Sequence, residues 1–405
     1  MPALRRTRLT WLTYATNGAS AFFVYSVGPA TPLIARDLGI SEQSAALHGA
    51  AMAAALLTTG ALAARVIARW GRLATISMAM AAMALGVLVV VVAPSLAVSL
   101  LGTYLAGTGG GVAAVAALAT LADAHPDAAP TVLTEANAAA GWVGLFAPLL
   151  MGAFLAVGLG WRVGLAVAIP LCLGLAVAVR SLRRTQPALA RAAAVAPAAP
   201  PATTPTAPAA SEPAAVADST RSVPGVFWIV MLAVSAAAGA EFAVNYWGAT
   251  LLGENTGATA GAVTAAMSAP VAGVAVGRTF GARLAMGVSA HSMLVGGWLV
   301  GLLGFAAFWR ASALPVAVVG LFVTGLGLSV IFPLLLDRAV LLLPERKDWA
   351  LAIVYPFVGV AVGLAPYGLG ALAGQVGVLT AFLVVPLIMA VGLVAVLGSR
   401  PAPPG

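Results

Sequence analysis

Glu241 stands in the stretch SAAAGAEFAVNYWGATLLG, residues 235–253, surrounded by small and apolar side chains. A carboxylate in such company carries a proton, pairs with a cation or faces a wet cavity, because a bare charge there is costly. Asn245 follows four residues later, on the same face of a helix, with Tyr246 and Trp247 adjacent. An acid, an amide and aromatic rings together suit a site that takes a proton and a partly polar ligand. Glu135, in TEANAAAGW, is a second acid of this kind, with Asn137 beside it and Trp142 seven residues on. His48 adds a group whose ordinary pKa lies near neutrality and which could titrate with Glu241. Asn17, Tyr25, Tyr104, Phe332 and Tyr355 are further candidates for lining a binding cavity.

Other chemistries are excluded on residue types. Cys172 is the single cysteine, so neither an intramolecular disulfide nor a cysteine metal site can form. His48, His125 and His291 lie in widely separated segments, which argues against a metal cluster. No Ser/His/Asp constellation stands out and no phosphate-cradling G-x-x-x-x-G-K-[ST] loop is present, so neither an enzyme nor a nucleotide-driven machine is expected, and no cofactor.

The elements that must hold these residues follow from composition. Of 405 residues, 61% are hydrophobic and only 8% charged, too few charges to cover a water-facing surface. Twelve apolar runs, each long enough to cross a bilayer as a helix, lie near 10–34, 44–68, 74–94, 97–121, 132–158, 162–182, 224–251, 258–282, 287–308, 313–336, 349–374 and 377–398. They lack the alternation of barrel strands, so the fold class is an all-α membrane protein. The net charge of +8 sits in the short gaps between runs, which encodes topology rather than nucleic-acid binding. With the N-terminus inside, the inner segments hold seventeen Arg and Lys and the outer segments three, Arg36, Arg162 and Arg310. That asymmetry predicts a multi-pass inner (plasma) membrane protein with both termini cytoplasmic. Glu241 falls seventeen residues past Pro224, in the outer half of the seventh span by this count.

Between the sixth and seventh spans, residues 183–223 are rich in alanine and proline with no apolar period, and are expected to be a disordered cytoplasmic linker. It separates an N-terminal half, 1–182, from a C-terminal half, 224–405. The halves repeat. GALAAR (60–65) matches GVAVGR (273–278), GTGGG (107–111) matches GLGLS (325–329), and APLLMGA (147–153) matches APYGLGA (365–371), in the same order at offsets of 213 to 218 residues. The chain reads as a duplicated six-helix unit, likewise with prolines, Pro148 and Pro366, that would kink matching helices.

Several motifs carry a family resemblance. The turn ARWGRLA (68–74) is similar to a signature of the major facilitator superfamily of secondary transporters, with Arg69, Gly71 and Arg72 in place and Ala68 where an aspartate is usual. GRTFGARL (277–284) is similar to the corresponding turn of the second half. TYLAGTGGG (103–111) resembles the glycine signature of proton-linked members, with Thr103 where an arginine is common. AGWVGLFAPLLMG (140–152) resembles the antiporter signature, with Ala147-Pro148 for Gly-Pro, and GWR (160–162) also fits.

The resemblance implies two pseudo-symmetric six-helix halves that rock about a midplane site, with the first, fourth, seventh and tenth spans lining the cavity. Glu241 is then expected to carry the proton, with Glu135 in support and His48 as a possible relay. Near Arg65 and the turn glycine Gly71, which permits positive φ, Arg69 or Arg72 is expected to pair with Asp123, and Arg278 or Arg283 with Asp337, as latches of the outward-open state. The expected function is proton-coupled movement of a small organic solute by a monomer in the lipid bilayer, with a slight lean to efflux of an amphipathic compound. Uptake of a sugar-like or other neutral nutrient is the alternative.

Overall fold

The computed structural model describes residues 6–185, 223–284 and 287–399, apart from the side chains of residues 282–284, 348, 351, 352 and 355. The linker expected over 183–223 therefore falls outside the described residues for 186–222. No strand occurs among the described residues, and twelve helical spans are long and apolar enough to cross a membrane. In the first half these are α1 (Arg8–Leu38), α2 (Glu42–Trp70), α3 (Arg72–Val92), α4 (Leu96–Ala124), α5 (Pro126–Ala156) and α6 (Trp161–Thr185). The second half contributes α7 (Gly225–Thr256), α8 (Ala260–Gly281), α9 (Ala290–Trp309), α10 (Leu314–Leu342), α11 (Pro356–Val376) and α12 (Val378–Gly398). Successive spans alternate in direction, so α1 begins and α12 ends at one face, here called the near face, opposite the far face.

Short turns join the helices. Gly71 closes the α2–α3 turn at φ +76°, a conformation that L side chains rarely adopt, and its N–H returns to the Ile67 carbonyl. At the far face Gly160 starts α6 at φ +82°, and the two residues after it grip α1. Trp161 Nε1 donates to Asp37 Oδ2 at 2.7 Å and Arg162 Nε to the same oxygen at 3.2 Å.

Small residues decide how closely the spans approach. Association in lipid gains little from apolar burial, so close backbone contact between helices supplies much of the attraction. The glycine run of α4 distributes its contacts: a Cβ on Gly107 would strike Met52 and Ala55 of α2, one on Gly109 the Met83 backbone of α3, and one on Gly111 the Thr59 side chain of α2. In α10, 218 residues on, Gly325 faces the Pro270 backbone of α8, Gly327 the Gly301 backbone of α9, and Ser329 abuts Gly277 of α8. The repeat seen in the sequence is thus a repeat of contacts, α4 on α2 and α3, and α10 on α8 and α9.

The halves meet on the far-face side. Gly152 of α5 and Gly261 of α8 face each other across the seam, where a Cβ on either would meet the other's carbonyl oxygen. Thr250 of α7 donates to Glu42 Oε2 of α2 at 2.7 Å, and Gly370 of α11 lies against Gln43. Nearer the middle, Gly28 of α1 is pressed against Asn245 of α7.

Candidate functional site

α7 is longer than the apolar run suggests, 32 residues from Gly225 to Thr256, which places Glu241 at its midpoint rather than in its outer half. The sequence count ended the span at residue 251, before the polar turn GENT that completes the helix. At this midpoint Tyr25 of α1 reaches across from the first half, and its hydroxyl donates to Glu241 Oε1 at 3.5 Å. The two side chains share the wall of a small chamber, about 20 Å3, with Asn245, Pro270, Thr324 and Leu328. Tyr25 fits there because Gly144 of α5 lies flat against its ring. Asn245 is 7% exposed, and its Oδ1 has no hydrogen-bond partner. That oxygen is packed against Gly28 of α1.

A larger cavity, about 560 Å3, lies between the halves toward the near face. Its wall is mainly apolar, with Leu56, Val115, Leu118 and Phe332, relieved by Thr134, Asn137 and Arg278. The two spaces are stacked along α8 and α10. Val274 and Leu328 bound the small chamber, while Gly277, Arg278 and Ser329 bound the large cavity one turn away. α10 is interrupted at this junction, its helical segments ending at Leu328 and resuming at Ile331. Among the described residues Arg278 makes no ion pair with Glu241. The site is therefore an acid, a phenol and an amide around a small chamber, with a guanidinium in the wall of the larger cavity next to it.

Of the expected lining residues, Tyr25 and Asn245 join Glu241, and Phe332 lines the larger cavity. Asn17, Tyr104, Trp142, Tyr246 and Trp247 line neither space. Asn17 donates to the Ala136 carbonyl of α5 at 3.2 Å, and Tyr104 shares a 3.0 Å hydrogen bond with Thr58 of α2. Trp247 donates to the Pro366 carbonyl at 2.9 Å, and Tyr246 is 1% exposed, stacked on Phe242. Trp142 is 42% exposed on the outside of α5. The Tyr355 side chain lies outside the described residues. His48 is not near Glu241 by contact: its Nδ1 donates to the Ala45 carbonyl at 2.6 Å and its Nε2 meets the Ser99 hydroxyl at 2.7 Å, joining α2 to α4.

Glu135 sits in a knot at the near face. Arg6 donates to both its oxygens, Nε to Oε2 at 3.1 Å and Nη2 to Oε1 at 2.6 Å, and the Tyr14 hydroxyl donates at 2.7 Å. The hydrogen bonds to Glu135 raise the Arg6 guanidinium above its ordinary pKa. A fork-to-fork pair of this kind suits a carboxylate that stays charged.

Arg72 is 3% exposed and pairs with Asp123, also donating to the Ala119 carbonyl at 3.0 Å. Both partners belong to the first half, and the pair is intact while the large cavity lies toward the near face. Arg69 stands exposed over the Trp70 ring at 5.9 Å, and Arg65 donates to its own helix at Ala61, 2.8 Å away. In the second half no Arg278–Asp337 pair forms: Arg278 turns into the cavity wall and Asp337 is exposed. The Arg283 side chain lies outside the described residues. Sequence reasoning assigned Arg278 to a latch and so missed its place in the wall of the large cavity.

The sequence profile of the Major Facilitator Superfamily matches residues 11–285. The chain belongs to that superfamily and is a multi-pass membrane transporter. Two crystal structures of a bacterial homolog to the human lysosomal transporter Spinster, both inward-facing, share the fold. The occupied form gives a TM-score of 0.71 over 98% of this chain and 97% of that one, at 14% identity. The unoccupied form gives 0.73 over 98% and 99%, also at 14% identity. No curated protein matches the chain.

Proposed function

We propose that the chain is a proton-coupled secondary transporter of a small organic solute, with Glu241 as the proton carrier. The observation that carries this reading is the Glu241–Tyr25 contact, made between the two halves at the wall of a small chamber. A carboxyl group there is neutral when protonated, and when it loses its proton it needs a compensating charge, for which Arg278, in the wall of the adjoining cavity, is the candidate. Rocking of the halves changes the distance from Glu241 to Tyr25, because these lie on α7 and α1, in opposite halves. Proton affinity then changes with conformation, which is the requirement for coupling.

The near face is taken as cytoplasmic on the charge asymmetry, with both termini inside the inner (plasma) membrane. The far-side contacts Gly152–Gly261 and Thr250–Glu42, with the large cavity toward the near face, support reading this conformation as inward-facing. The 560 Å3 cavity has the size of a small-ligand pocket, and its apolar wall with few polar groups suits an amphipathic solute, in keeping with efflux. The unit works as a monomer, since each half supplies part of the site. In proteoliposomes, Glu241→Gln is expected to abolish flux driven by a pH gradient while leaving solute exchange. Undiminished gradient-driven flux in that variant would reject the assignment.

A further inference from the structure

Arg180, Arg183 and Arg184 sit on one face of α6 near its near-face end, at spacings of three and four residues. They line a groove of about 410 Å3 between α6 and α3, whose other wall is Leu73, Ala74, Ser77 and Met78. Ser77 donates to the Ala176 carbonyl at 2.8 Å, so the groove floor is fixed one turn above Arg180. Among the described residues no carboxylate pairs with any of the three arginines. Arg72, the one cation at the start of α3, is turned away toward Asp123.

Topology and helix-end electrostatics account for Arg183 and Arg184, which lie in the last turn of α6. They do not account for Arg180, a turn deeper, nor for the cleft in which all three converge. The surface above them is apolar. Leu173 and Val177, 46% and 67% exposed, continue the Arg180–Arg184 row toward the far face. On α3, Met78 and Leu85 are likewise exposed at 43% and 54%. The groove thus offers three guanidiniums at headgroup depth and an apolar track for acyl chains running away from them.

We propose that this groove is a binding site for an anionic phospholipid, with the arginines on the phosphodiester and the chains along α3 and α6. Arginine suits that role because its planar fork matches two phosphate oxygens at once. The site is separate from the Glu241 chamber and does not depend on the coupling reading.

The test is lipid retention by the full chain reconstituted in discs of equal parts phosphatidylcholine and phosphatidylglycerol, with bound lipid counted by native mass spectrometry. Wild type is expected to retain phosphatidylglycerol in excess of its bulk share. Each arginine near an anionic headgroup is worth roughly fivefold. Arg180→Gln, which spares the two last-turn charges and so the topology, predicts about a fivefold fall in that preference. Replacing all three by glutamine predicts a fall on the order of a hundredfold. Added inorganic phosphate is expected not to displace the lipid. Unchanged retention in Arg180→Gln and in the triple variant would overturn the site, and displacement by inorganic phosphate would show a free-anion site instead.

Discussion

Glu241 was recognisable from the sequence as an acid inside an apolar run, although the residue count placed it in the outer half of α7 rather than at its midpoint. Its neighbours were not all recognisable, for a geometric reason. Asn245 lies about 40° around the helix from Glu241, but Tyr246 and Trp247 lie about 140° and 240° away, so they turn to α2 and α11 instead. Arg278 was hidden by its own repeat partner. Arg65 occupies the matching position of the first half and points outward, while the close approach of α8 to α10 at Gly277 and Ser329 turns Arg278 inward. Asp37, held by Trp161 and Arg162, gave no sequence signal, because its partners are over a hundred residues away.

Two substitutions separate the acids. Tyr25→Phe removes the one side-chain donor to Glu241 among the described residues and keeps the ring against Gly144. It is expected to shift the pH at which transport is half-maximal while leaving expression unchanged; a pH profile identical to wild type would detach Tyr25 from the proton. Glu135→Gln weakens an ion pair whose members are 42% and 31% exposed, a class of contact worth about 1 kcal/mol or less. Gradient-driven flux is expected to survive with a melting temperature lowered by no more than about 4 °C. Loss of that flux at normal stability would return Glu135 to the coupling machinery.

At the scale of elements, span number, order and approximate limits were legible, because hydropathy and the need to satisfy every backbone group leave little choice. The contact repeat was legible too, since glycine at a fixed offset marks where backbones meet. Which glycines tolerate a side chain was not legible. Gly327 meets only backbone atoms of α9, which cannot move aside, whereas Gly60 faces open space. Gly327→Leu is expected to destabilise the protein by at least about 1–3 kcal/mol, seen as lost monodisperse yield. Gly60→Ala is expected to be neutral or to stabilise by roughly 0.5–1 kcal/mol. Equal behaviour of the two in a thermal melt would mean that the α9–α10 contact is looser than it stands here.

The Arg72–Asp123 pair belongs to the same scale. It joins the start of α3 to the end of α4 within one half, so it fastens a hairpin rather than spanning the seam. Asp123→Asn leaves a buried guanidinium with one carbonyl partner and is expected to cost about 1–3 kcal/mol. The balance of inward and outward states, read by spin-label distances across the far face, should be unchanged. A shifted balance at unchanged stability would make the pair a latch after all.

For the whole molecule, the sequence specified two six-helix units and the positive face, but not the seam between the units. The seam is built from long-range juxtapositions of small residues, Gly28 with Asn245 and Gly152 with Gly261, that no local pattern announces. Those contacts bring an acid of one half to a phenol of the other, and the account rests on that acid exchanging its proton as the solute binds. The most direct test is a thermal-shift screen of the detergent-purified protein at two pH values, against sugars, organic acids and apolar amphiphiles, in wild type and Glu241→Gln. The account predicts stabilisation by an amphiphile, with a pH dependence in wild type that is lost in the variant. Stabilisation with the same pH dependence in both proteins would contradict it and leave Glu241 a structural residue.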